Sequence, residues 1–98
     1  MSKIINFNGF ICNFQLHEYV NGGTAITLVD TDDGMPVATA SLWIGNLFHD
    51  EIAIKDYSEN EGMVEALLEA GLIYPPHRSV NGHPVVRLVK QDIRENFS

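Results

Sequence analysis

The sequence predicts an α+β domain: one antiparallel sheet, a meander of about four to five strands, covered on one face by a single helix. Three observations lead there. The first half alternates apolar and polar residues at period two, the pattern of half-buried strands. Turn signals at Asn21-Gly22-Gly23 and Thr31-Asp32-Asp33-Gly34 cut that half into hairpins. One segment alone, from Ser58 to Gly71, carries helical periodicity together with a start and a stop signal. At 98 residues the chain has room for one hydrophobic core, so residues 1–90 are read as one domain and 91–98 as a polar C-terminal tail.

The first strand runs from Phe10 to Val20, with Phe10, Cys12, Phe14 and Leu16 on its inward face. Asn21-Gly22 turns the chain into a second strand, Thr24 to Asp30. Gly34 supplies the left-handed residue of the next turn. Pro36 then opens a third strand over Val37 to Trp43, since proline is tolerated at a strand's first residue. Ile44 to Glu51 reads as loop, and Glu51 to Lys55 as a short strand facing inward through Ile52 and Ile54. For the helix, Ser58-Glu59-Asn60-Glu61 has the spacing of a capping box, Ser58 as N-cap and Glu61 three residues on. Met63, Val64, Leu67 and Leu68 form its apolar stripe. Gly62 costs it roughly 1 kcal/mol relative to alanine. Gly71 stands where a C′ glycine ends a helix, with Leu67 and Leu72 as the accompanying apolar contact. Tyr74-Pro75-Pro76-His77 cannot be helical. Asn81-Gly82 is a further turn, and Pro84 to Val89 a last strand. Pro36 and Pro84 suggest sheet edges. In the tail, Ile93 and Phe97 permit a short helical turn. The expected core is Phe14, Leu16, Ile26, Leu28, Leu42, Ile52, Ile54, Leu67, Leu68 and Val86.

Charge says more about function than any motif does. Six Lys and Arg against 13 Asp and Glu give a net charge of −7. Direct binding of nucleic acid or an anionic membrane needs clustered cations, so neither is expected. No apolar run reaches the ~20 residues that cross a bilayer, and a single cysteine, Cys12, fits a reducing, cytoplasmic setting. From Ile4 to Ile54 there is no Lys or Arg, and between Asp50 and Glu69 seven acids face Lys55 alone. Glu61, Glu65 and Glu69 follow at i, i+4 and i+8, three carboxylates along one face of the expected helix. These three, with Asp56, Tyr57, Glu59, Asp32 and Asp33, are the candidate partner-binding residues. Acids around one aromatic side chain suit the rim and centre of an interface with a basic protein. The alternative for the same residues is a solvated face that keeps the domain soluble.

The other chemistries find little support. Asp30, Asp32, Asp33 and Gly34 lack the spacing of a calcium loop. His17, His49, His77 and His83 match no zinc pattern, and Cys12 on an inward face reads as a small buried hydrophobe. Asp50 and Glu51 are read as solvated surface acids. No nucleophile elbow, phosphate loop or dinucleotide fingerprint occurs. No catalytic residue, cofactor or metal is therefore expected. Two further alternatives remain: capture of a nucleotide signal by Arg78, Arg87 and His83, and self-association, as a homodimer, through an exposed strand edge.

The segment IKDYSENEGMVEALLEAGLI, Ile54 to Ile73, resembles a family of small proteins carried by phages, plasmids and integrated elements. Lys55, Asp56, Tyr57, Ser58, Glu59, Asn60, Glu61, Gly62 and Met63 carry the likeness, which covers about a fifth of the chain. The resemblance implies an accessory protein of a mobile element, of the kind that antagonises host defence. The implied partner is a host protein with a basic surface, such as a CRISPR or restriction component.

Overall fold

The fold is seen in a computed structural model that describes residues 4–20, 23–45, 47–48 and 50–89. The Asn21-Gly22 turn, His49, and the 91–98 tail with its Ile93/Phe97 turn lie outside the described residues. Strands β1 (Ile5–Phe7), β2 (Phe10–Glu18), β3 (Thr24–Asp30) and β4 (Pro36–Thr39) form an antiparallel meander in sequence order. A second antiparallel sheet holds β5 (Ser41–Leu42), β6 (Glu51–Ile54), β7 (Arg78–Val80) and β8 (His83–Arg87), in the order β5-β6-β8-β7. The expected single sheet is thus corrected to two.

The division falls inside the expected Val37 to Trp43 strand, at Ala40. Its N–H donates to the Ile26 carbonyl in the first sheet, while its own carbonyl accepts the Lys55 N–H beside the second. Ala40 is fully buried. A larger side chain at this junction would have to displace the core that the two sheets share.

β1 escaped the sequence reading because three residues are too few to display alternation. Its turn was also missed: Asn8 (φ 50°) and Gly9 (φ 84°) form the two-residue loop between Phe7 and Phe10, the tight hairpin that Asn-Gly favours. Along β2, Cys12 is buried and Phe14 half-buried, but Phe10 and Leu16 are about half exposed, so only the middle of this long strand is covered. The 31–34 turn forms as expected, with Gly34 at φ 73°. Asp30 Oδ1 accepts the Asp32 N–H and Asp33 Oδ1 the Met35 N–H. Pro36 does lie on an edge strand. Pro84 instead lies on an inner strand, one residue past the last β6–β8 pair, where its missing donor breaks no bond to β6.

The helix begins differently from the expected capping box. Ser58–Asn60 is a 3-10 turn, and α1 (Met63–Glu69) starts only after Gly62, which takes the N-cap at φ 92°. The capping carboxylate is Asp56: Oδ1 accepts the Gly62 N–H at 2.7 Å and Oδ2 the Val64 N–H at 3.1 Å. Gly62 is therefore the residue the backbone needs rather than a weak point in a helix interior. Asp56→Ala should cost about 1 kcal/mol in urea unfolding, and Ser58→Ala much less. The reverse ranking would restore the capping box. At the other end the Leu72 N–H bonds the Leu67 carbonyl and the Gly71 N–H the Leu68 carbonyl, the Schellman pattern with Gly71 at φ 73°.

α1 packs along β1, and one core runs through both sheets and the helix, built on Ile5, Phe7, Ile26, Leu28, Ile54, Met63, Leu67, Leu72 and Val86. The expected core holds except that Phe14, Leu42 and Leu68 are half-buried and Leu16 is exposed.

Candidate acidic interface

The cap that starts α1 also places the acids. Glu61 precedes the helix, so the expected three-turn helical stripe is really one pre-helical carboxylate followed by two on α1. All three still meet: Glu61, Glu65 and Glu69 line one shallow groove of about 170 Å³, with Asn6 and Asn8 of the neighbouring sheet edge opposite. Within the described residues every Lys and Arg has an acid elsewhere. Lys55 Nζ lies 2.6 Å from Glu59, Arg78 bonds Glu51, and Arg87 Nε lies 2.9 Å from Asp50. No ion pair joins a described base to Glu61, Glu65 or Glu69. Glu65 and Glu69, at i and i+4 on α1, repel by a few tenths of a kcal/mol, a cost that a cation from outside would relieve.

The other candidates are spread around this groove. Asp56 is committed to its cap. Glu59 holds Lys55, whose ammonium pulls its carboxyl down to about 2, and Glu59 in turn raises Lys55. Tyr57 is 47% exposed, its ring 5.7 Å from that of His83 and 5.7 Å from Lys55 Nζ. It is an available aromatic beside the acids. Asp32 and Asp33 sit on the β3–β4 turn, at the end of the first sheet that also holds the Asn8-Gly9 turn, and they do not line the groove. Asp33 spends one oxygen on its own turn.

Next to the groove lies a deeper hollow of about 410 Å³ between the two edges of the first sheet. Phe7 and Phe10 come from either side of the β1–β2 turn, Val37, Ala38 and Thr39 from the β4 edge, and the Lys55–Glu59 pair and Asn60 from the 3-10 turn region. Asn60, 2% exposed, donates from Nδ2 to the Thr39 carbonyl, and Asn8 Nδ2 reaches the Glu59 carbonyl. The 3-10 turn thereby bridges both edges. The 54–73 segment thus carries the cap, the bridge and the left-handed glycine in one stretch.

Sequence reasoning missed one site outright. Glu51, read as a solvated acid, has a side chain only 1% exposed. Its oxygens accept from Arg78 Nε at 3.0 Å and Nη2 at 2.5 Å, from His77 Nε2 at 2.6 Å and from the Phe48 N–H at 3.0 Å. His77 and Arg78 lie 26 and 27 residues away, beyond any local pattern. The Arg78 hydrogen bonds above all hold the Glu51 carboxyl far below the usual carboxylate range, against the opposing effect of burial. The same network engages Arg78, and Asp50 engages Arg87, which leaves little for the phosphate contacts considered above. The Cys12 thiol is pushed up by burial and then by Asp30, the opposite of what a nucleophile needs. Among the described residues no group of His, Cys, Asp and Glu could hold a metal ion, and no helix is long and apolar enough to cross a membrane.

Comparison with protein-family models, curated proteins and solved structures gives no match to this chain.

Proposed function

We propose that this chain is a non-enzymatic acidic binding protein that occupies a basic, nucleic-acid-binding surface of a partner protein. The observation that carries this reading is the groove in which Glu61, Glu65 and Glu69 converge while each described Lys and Arg is engaged by another acid. A concentrated patch of one sign speeds encounter with the opposite sign and disfavours wrong partners. The resemblance of the 54–73 segment extends the proposal: the partner is a host defence protein, such as a CRISPR or restriction component, met in the cytoplasm by a protein from a mobile element.

The test is parallel capture from bacterial lysate with the wild-type chain and with Glu61→Lys plus Glu65→Lys, at low and high salt. A basic nucleic-acid-handling protein should be retained by the wild type and lost both to salt and to charge reversal, with affinity reduced about tenfold or more. Identical capture by both baits would remove the electrostatic basis of the proposal.

A further inference from the structure

We propose that the hollow between the edges of the first sheet is an anchor pocket, and that the partner presents an extended basic segment carrying one aromatic side chain. This rests on the acidic-binding reading and adds the shape of the ligand to it. The hollow, at about 410 Å³, falls within the roughly 300–1,000 Å³ of typical ligand pockets. Its apolar wall is Phe7, Phe10, Val37 and Ala38, and Phe10 keeps 48% of its surface exposed, an arrangement suited to edge-to-face or offset contact with an inserted ring.

Charge complementarity selects the occupant. Phe7 and Asn8 line both this hollow and the groove of Glu61, Glu65 and Glu69, so one short segment can reach the two together. A ring seated against Phe10 puts the residues beside it over the carboxylates, where only Lys and Arg are favoured. β4 is the outer strand here. Alternate backbone groups of an outer strand face outward, and one of them, the Thr39 carbonyl, is taken by Asn60. An extended segment can lie along the rest, as strand-adding peptides do.

The probes are two amidated heptapeptides, each with two arginines at either end and glycines flanking the centre; one has tryptophan at the centre, the other alanine. Both are titrated into the 15N-labelled protein at low salt. The tryptophan peptide should bind about tenfold more tightly and shift the Phe10, Val37 and Ala38 amides, which line the hollow and not the groove and which the alanine peptide leaves in place. Phe10→Ala should erase the tryptophan advantage and leave the alanine peptide's affinity nearly unchanged, its amide spectrum showing that the variant is folded. Equal, salt-sensitive binding of both peptides would overturn the anchor pocket alone. A tryptophan advantage that survives Phe10→Ala would overturn it too. Binding of neither would overturn the pocket together with the acidic-binding reading.

Discussion

Glu51→Ala should lower the melting temperature by about 10–20 °C, since a domain of this size shifts about 4–8 °C per kcal/mol. Removing one partner of a buried ion pair costs about 3–5 kcal/mol. Here Arg78 and His77 keep 36% and 29% side-chain exposure and can regain water, so about 2–3 kcal/mol is expected. Beyond the charge, the carboxylate ties the Phe48 backbone and the His77-Arg78 segment to the start of β6, so its loss should loosen that whole end of the second sheet. The pH dependence has a definite sign. The folded-state pKa of Glu51 is depressed below its ordinary 4.5, so its contribution is fully present above that value and is lost as pH falls beneath it. Wild type should therefore lose more melting temperature than Glu51→Gln between about pH 6 and pH 3. Parallel curves would mean that the carboxylate is not held as the structure has it.

Leu67→Ala is the second large effect, about 2–5 kcal/mol by chemical denaturation. Leu67 is fully buried, belongs to the stripe that packs α1 against the core, and supplies the carbonyl and apolar contact of the Schellman ending with Leu72. Its truncation removes transfer energy and leaves a void between helix and sheet. Leu68→Ala, one residue on and only half-buried, should cost clearly less. Equal costs would mean that α1 is rotated from the packing described. Because Glu65 and Glu69 ride on this helix, Leu67→Ala should also blur the acidic groove, whereas Glu61→Lys with Glu65→Lys should leave folding intact.

What was legible in the sequence was local. β3 has the bounds read from Thr24 to Asp30, and Gly34 and Gly71 stand at the positive φ their turns required. What was not legible depended on competition or distance. Ser58 and Glu61 have capping-box spacing, but Asp56, whose carboxylate reaches both the Gly62 and Val64 amides, wins the helix start. Alternation runs unbroken through Thr39-Ala40-Ser41, so nothing local marks the passage from one sheet to the next. Glu51 looks like any acid beside Asp50 until Arg78 arrives from across the sheet. Of the candidate interface, the three glutamates could be found by spacing. The hollow beside them could not, because it is assembled from β1, β2, β4 and the 3-10 turn.

The most direct measurement is displacement. The partner recovered by capture is loaded with a fluorescent oligonucleotide and titrated with the wild-type chain and with Glu61→Lys plus Glu65→Lys. Acidic docking on a nucleic-acid-binding surface predicts that the wild type releases the oligonucleotide, less so as salt rises, and that the charge-reversed chain does not. A partner that binds the wild type and keeps its oligonucleotide, or that loses it equally to both chains, would contradict the proposal.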